Sequence, residues 1–444
     1  MKRWTVDRVT VFFVIAVVSF VYDLTAYLGI RNTARFPHPF VYFRSLGDVE
    51  SFRGFPVMLR LAMFSLVAGG LIGWTVGLLI LRNDWLTRAT IRFLRIGMWI
   101  PFLVVFAAPY TFQLGIAVTL LAATYHYLTA RSLLEMSARA AFRYAAGEVT
   151  LQAFFFSLIS QIWVQKWYWI MSFINIDPTV VFVVWGLILT VVVVISWIFK
   201  RTFLAGCKIN AILNNQETYF SKANFFGSMF LLTIAWFLFW QLTCVVLSYD
   251  DFRPIPAMQK AGDLLITHEI WHDIFISLAE VGGGVFFGGL LALAVSTVMH
   301  RSENIQRAIG KVLPATYISP IVLWLLVFDF LGPGVEHKMM GVGLLTFFPL
   351  IQTSWGFRDT PLRRRWLIAI DDALPIAFVT MCFGELYAAT AGLGFQMVVA
   401  GATNQYQQGL AWFLITVFLL FALSMILRLI VALSGRRALP TEAA

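Results

Sequence analysis

The feature that most restricts this chain is its succession of apolar stretches, each about twenty residues long and separated by short, mostly basic turns. About 20 apolar residues are needed for a helix to cross the hydrocarbon core of a bilayer. In lipid the backbone N–H and C=O groups must be paired within the segment, and a helix does this. The sequence therefore predicts about twelve spans. The first six lie near 11–30, 57–81, 92–109, 111–129, 149–171 and 179–199; the second six lie near 226–248, 274–299, 312–331, 339–356, 373–390 and 408–433. Composition agrees. Sixty per cent of the residues are hydrophobic, 13% are charged, and the mean hydropathy is +0.80. A soluble domain carries about 25% charged residues, so a soluble enzyme is excluded and the expected fold class is an all-α polytopic membrane protein.

One stretch occurs twice. Leu278–Val322 contains a Gly-rich apolar helix (Gly282–Met299), a basic turn (His300–Lys311) and a segment opening with Pro314 and Pro320. Shifted back by about 219 residues without a gap, it lies on Leu59–Leu103. Gly69-Gly70-Leu71 then falls on Gly288-Gly289-Leu290, Arg82 on Arg301, Arg88-Ala89 on Arg307-Ala308, Leu94 on Leu313 and Pro101 on Pro320. Shared Gly, Arg and Pro positions in register point to a duplicated membrane module. The expected division is a divergent first repeat over 1–205 and a second over 206–444. Ser65, Gly69, Gly73 and Gly77 align with Gly284, Gly288, Ala292 and Ser296. Four-residue spacing puts each set on one helix face, where two backbones can approach closely. This fits equivalent helices packing at or near an interface between the halves.

Charge orients the spans. With the N-terminus in the cytoplasm, about 23 of the 33 Lys and Arg residues fall on the cytoplasmic side, a positive-inside pattern. Both termini are then cytoplasmic, and six spans per repeat give two halves of parallel topology. The net charge of +10 is accounted for by these loops and does not point to nucleic acid. Cys207, Cys244 and Cys382 have no motif spacing. Met1–Arg8 precedes an apolar run without a small-residue cleavage site, which reads as a retained first helix.

Short patterns in the second half carry a resemblance. They are His272 to Ser277-Leu278 followed by Gly284; Phe328-Asp-Phe-Leu-Gly332 with Lys338; and Phe347-Phe348-Pro349 with Thr353 and Gly356. Ala373-Leu374-Pro375, and Glu385 followed by Gly392-Leu393-Gly394, complete the set. In order and spacing they resemble the permeases of ATP-binding-cassette (ABC) importers of the nitrate/sulfonate/taurine type, in the form where one chain supplies both halves. Glu280 stands where that family usually has Arg. The resemblance implies a type I ABC permease fold, with Ala373-Leu374-Pro375 beginning the fifth core helix.

It also implies a separate ATPase, since the chain has no Gly-x-x-x-x-Gly-Lys-Ser/Thr of its own. The family receives the ATPase on a short cytoplasmic helix between its fourth and fifth spans. The corresponding loops here are Ala130–Glu148 and Gly356–Asp372. In the first, Leu134 to Ala141 is expected to form a basic, Ala-rich helix with Glu135, Met136 and Arg139. In the second, Arg358 and Arg363-Arg364-Arg365 come almost directly before Ala373, as if the coupling helix were missing. Anchoring by positive charge alone is the competing reading of both loops.

Ionisable residues in apolar spans are costly and mark functional candidates. Asp23, Glu280, Asp329 and Glu385 qualify; Asp23 and Asp329 fall near span ends, where water would solvate them. For Glu385 a hydrogen bond to the Gly392–Gly394 turn competes with a role in transport. The candidate translocation residues are Glu280, Gly284, Gly288, Pro320, Glu385, Gly392, Leu393 and Gly394. His268-Glu269-Ile-Trp-His272 has the HExxH spacing of zinc proteases, but no third ligand is evident, and no metal or other cofactor is expected.

The leading reading is the membrane subunit of an ATP-driven importer of a small solute, an anion such as nitrate or a sulfonate. It would sit in the inner membrane of a bacterium and work with cassette ATPases and a periplasmic or lipid-anchored solute-binding protein. A secondary transporter with two parallel six-helix halves is the alternative, although Arg82–Arg88 lacks the glycines of the turn often seen there.

Overall fold

In the computed structural model the described residues are 55–107, 111–164, 222–246, 250–267, 270–306, 334–356 and 361–435, and their regular elements are all helical. The spans expected at 11–30, 179–199 and 312–331 lie outside them, wholly or mostly. In chain order the helices are α1 (Phe55–Ile80), α2 (Asp84–Gly97), α3 (Ile100–Ala107), α4 (Thr111–Leu128), α5 (Ala138–Val164), α6 (Lys222–Val246), α7 (Pro254–Ile266), α8 (Ile270–His300), α9 (Val335–Gly356), α10 (Leu362–Ala388), α11 (Leu393–Ala402) and α12 (Tyr406–Gly435). Among the described residues, three segments are long and apolar enough to cross a membrane: Ile270–His300, Leu362–Leu386 and Tyr406–Val431. A fourth is the bent pair α2 and α3 taken together.

That pair replaces the straight span expected at 92–109. Asn83 caps α2 by accepting the Leu86 N–H at 3.1 Å, and Asp84 lies in the first turn, where the helix dipole favours a negative charge. Pro101 then has no N–H to offer the Gly97 carbonyl, and its ring crowds that turn. The chain bends by 41° into the short α3.

The small-residue stripes do bring backbones together. On α1, a Cβ at Gly69 would overlap the Thr119 hydroxyl and lie 2.8 Å from the Ile116 carbonyl oxygen of α4. On α8, a Cβ at Gly288 would lie 2.7 Å from the Thr346 hydroxyl and 2.6 Å from the Gly343 carbonyl oxygen of α9. In each case the threonine hydroxyl donates back to its own helix, Thr119 to Gly115 and Ile116, Thr346 to Val342 and Gly343. The α1–α4 and α8–α9 contacts thus have one form. They differ from expectation in one respect: each stripe faces a helix that follows it in the chain, α4 or α9, and not the other stripe. Glycine supplies what such a crossing needs, a surface with no Cβ.

α3 packs against helices far along the chain. Phe102, Leu103 and Phe106 are fully buried in one apolar cluster with Phe378 and Phe383 of α10 and Phe413 of α12. The Ala107 carbonyl, at the end of α3, fits against Gly401 and Gly409, where a Cβ would lie 3.1 and 3.2 Å from its oxygen.

The second basic loop is mostly helix. α10 starts at Leu362 and continues through Asp371, Asp372 and Pro375 to Ala388. Ala373-Leu374-Pro375 therefore lies inside a helix and does not begin one. The expected helix from Leu134 is also corrected. The chain leaves α4 through a π-turn at Thr129–Leu133, breaks at Glu135, whose φ is +50°, and re-enters helix only at Ala138.

Candidate functional site

Two of the charged side chains expected inside the spans, Glu280 and Glu385, belong to a buried polar cluster where α8, α9 and α10 meet the start of α11. α11 follows a turn at Gly392, whose φ of +121° is open to glycine and strained for other residues. The first N–H groups of a helix have no partner within it, and here side chains of two other helices supply them. The Gly392 N–H donates to Asp273 Oδ1 at 2.6 Å, and the Leu393 N–H to Ser277 Oγ at 2.8 Å. Glu385 Oε2 accepts the Gly394 N–H at 2.5 Å and the Phe395 N–H at 3.2 Å. Ser277 in turn donates to Glu385 Oε1 at 2.6 Å, and Gln396 Nε2 donates to Asp273 Oδ2 at 3.1 Å. The arrangement places two carboxylates at the positive end of a helix dipole. A Cβ on Gly394 would lie 2.6 Å from Cys382 Cα, so α11 is seated against the backbone of α10.

One helical turn beyond Ser277, Glu280 Oε1 accepts from Lys338 Nζ of α9 at 2.7 Å. Both are buried, Glu280 completely. Glu385 lies within electrostatic reach of this pair. The residue that departs from the family pattern, Glu280, is therefore joined to Lys338, which is part of it.

A second polar layer lies lower on α10. Asp371 accepts from Ser424 and from Arg428 Nε of α12, the latter at 2.9 Å. Asp372 accepts from Arg95 of α2 and from Thr353 of α9, the latter at 2.7 Å. The two layers are about 20 Å apart along α10, from the rise of 1.5 Å per residue. The upper cluster holds α11 against α8 and α10, and the lower one ties α10 to α2, α9 and α12.

The remaining candidates fall elsewhere. Gly284 and Gly288 pack on α9, below the cluster. Glu135 and Arg139 are exposed and Met136 is half-buried, its carbonyl accepting from Arg131 at 2.6 Å. Arg363, Arg364 and Arg365 form the first turn of α10. Pro320 and Arg358, with Asp23, Asp329, His268 and Glu269, lie outside the described residues. His272 is exposed, and among the described residues no group of three His, Cys, Asp or Glu side chains could hold a metal. Sequence reasoning missed Asp273 and the role of Ser277. The signal available was the capping chemistry of a Ser or Asp for a Gly-bounded helix start, hidden because donor and acceptor lie 116–123 residues apart.

No family model matches the chain, and no solved structure matches it. It is 25% identical over 215 residues to a probable ABC transporter permease protein of Haemophilus influenzae, covering 40% of this chain and 85% of that one. It is 23% identical over 239 residues to the taurine transport system permease protein of Escherichia coli, covering 44% and 83%. The described residues are helical, three of their helices are long and apolar enough to cross a membrane, and the chain is distantly related to ABC transporter permeases.

Proposed function

We propose that this chain is the membrane-spanning permease subunit of an ATP-driven importer in a bacterial inner membrane, and that it forms the path for a small anion. The similarity to two ABC permeases, each matched over more than four-fifths of its length, carries this reading, and favours it over a secondary transporter. Of the two solutes expected, nitrate and sulfonates, the sulfonate is supported by the name of one relative, a taurine permease.

The chain would contain about twelve spans in two parallel repeats, with both termini cytoplasmic. The like-formed contacts of Gly69 with Thr119 and Gly288 with Thr346 support a duplication. ATP would be hydrolysed by separate cassette subunits, and the solute delivered by a periplasmic or lipid-anchored binding protein. The ATPase would dock through Glu135, Met136 and Arg139 more strongly than through the first turn of α10, where Arg363, Arg364 and Arg365 continue into a long helix. Movement of α10 would reach the Glu385 cluster as a rigid-body displacement, because one helix carries both polar layers. The deciding experiment is purification of the tagged protein from its own membranes. An ATPase should come with it, and uptake by the reconstituted complex should require ATP. Uptake driven by an ion gradient with no ATPase bound would replace this reading with the secondary transporter.

A further inference from the structure

A groove of about 630 Å³ opens along α8, α10 and α12. Its lining is apolar and includes Phe286, Leu293, Trp366, Leu374 and Ile426. Gly282 and Gly289 also line it, seven residues apart and so on one face of α8. Unlike Gly284 and Gly288, these two face no neighbouring backbone among the described residues. A Cβ on Gly282 would meet nothing within 4 Å, and one on Gly289 only the Trp366 ring, at 3.8 Å. Glycine weakens a helix relative to alanine, and helix packing does not explain these two. Their missing side chains widen the groove.

Trp366, at one end, directly follows Arg363-Arg364-Arg365 on the first turn of α10. The nearest carboxylates on that helix already have partners, Asp371 with Arg428 and Asp372 with Arg95. Among the described residues no carboxylate pairs with the three arginines, and the Nε atoms of Arg364 and Arg365 are buried without a hydrogen-bond partner. The groove's lining on α8, from Leu278 to Leu293, extends about 22 Å at 1.5 Å per residue, more than half the roughly 30 Å hydrocarbon core.

We propose that this groove binds one anionic phospholipid, with an acyl chain over Gly282 and Gly289 and its phosphate on Arg363–Arg365. Guanidinium groups match phosphate oxygens in a planar, paired geometry. Trp366 sits between tail and headgroup, the level that tryptophan favours at a membrane interface. The site needs only that the chain is in a membrane and stands apart from what it transports.

The test uses the full-length protein, delipidated in mild detergent and then given phosphatidylglycerol or phosphatidylcholine, with retained lipid counted by native mass spectrometry. Wild type should hold one phosphatidylglycerol with roughly tenfold preference over phosphatidylcholine. Gly282→Leu/Gly289→Leu should fill the groove and lose that lipid, with the melting temperature of the delipidated protein unchanged. Replacing Arg363, Arg364 and Arg365 by Gln should abolish the preference while the groove still takes a chain. If the leucine variant does not fold, the glutamine variant decides alone. Equal retention of both lipids by wild type, or undiminished phosphatidylglycerol in the filled variant, overturns the proposal. So does a filled variant whose only change is conversion from dimer to monomer, which would make the groove a contact between copies.

Discussion

Asp371 and Asp372 are adjacent on α10 yet bind in different directions. Asp371 takes Arg428 and Ser424 of α12, and Asp372 takes Arg95 of α2 and Thr353 of α9. The Arg95 pair spans 277 residues of sequence and is nearly buried on both sides. Removing one partner of a buried pair leaves a charge without compensation, at a cost of about 3–5 kcal/mol when burial is complete. Arg95→Met should therefore lower the melting temperature clearly, and Arg95→Met with Asp372→Asn should recover part of the loss. A thermal double-mutant cycle measures this; additive losses would mean the pair is not coupled.

The Glu280–Lys338 pair is the more deeply buried of the two. Lys338→Met strands a carboxylate inside the helix bundle and should destabilise by about 3–5 kcal/mol. Lys338→Met with Glu280→Gln should be nearer wild type than Lys338→Met alone. Denaturation of the three proteins in one detergent provides the comparison, and a double variant no better than Lys338→Met contradicts it.

Glu385 separates a structural duty from a charge. Glu385→Ala deprives the Gly394 and Phe395 N–H groups of their acceptor, each worth about 1–3 kcal/mol when left unsatisfied in a buried site. Glu385→Gln keeps a carbonyl oxygen for them and should melt close to wild type. Uptake beside each melting curve then shows whether the negative charge matters. A glutamine variant that melts normally but does not transport assigns the carboxylate a part in translocation; one that does both leaves Glu385 as a clamp on α11.

Gly288→Leu has no room, because the Gly343 backbone and Thr346 face it directly. Overpacking costs about 1–3 kcal/mol, and in lipid little hydrophobic drive offsets it. Stability and uptake should fall together. Leu79→Ile, on an exposed part of α1, should change neither. Unchanged melting of Gly288→Leu would contradict the close α8–α9 crossing.

Topology reporters fused at Gly206 and at Asp251 should report opposite sides, cytoplasmic and outer respectively. Both on one side would remove the proposed six-span repeat.

The α8 and α12 spans were legible because twenty apolar residues have few uses other than crossing lipid. The start of α10 was not. Arg363–Arg365, Asp371 and Asp372 look like loop, and only the folded protein shows Asp371 and Asp372 neutralised by Arg428 and Arg95 from distant helices. α11 was missed for a related reason. Ten residues after a Gly-bounded turn do not resemble a span, and the side chains that complete their first turn come from α8 and α10. Gly392–Gly394 and Glu385 could be paired from sequence, since they are close in it. Glu280 and Lys338 were noticed separately, one as a departure and one as a match, and nothing short of the fold joins them.

The position of α3 has a consequence for how the chain is made. This eight-residue helix is about 12 Å long and cannot cross a bilayer by itself. The phenylalanines that enclose it, Phe378, Phe383 and Phe413, leave the ribosome much later than Phe102 and Phe106 do. Until then α3 has only lipid and its early neighbours for company. The earlier helices must therefore wait as an incomplete assembly, and α10 to α12, made later, are the ones that close around α3.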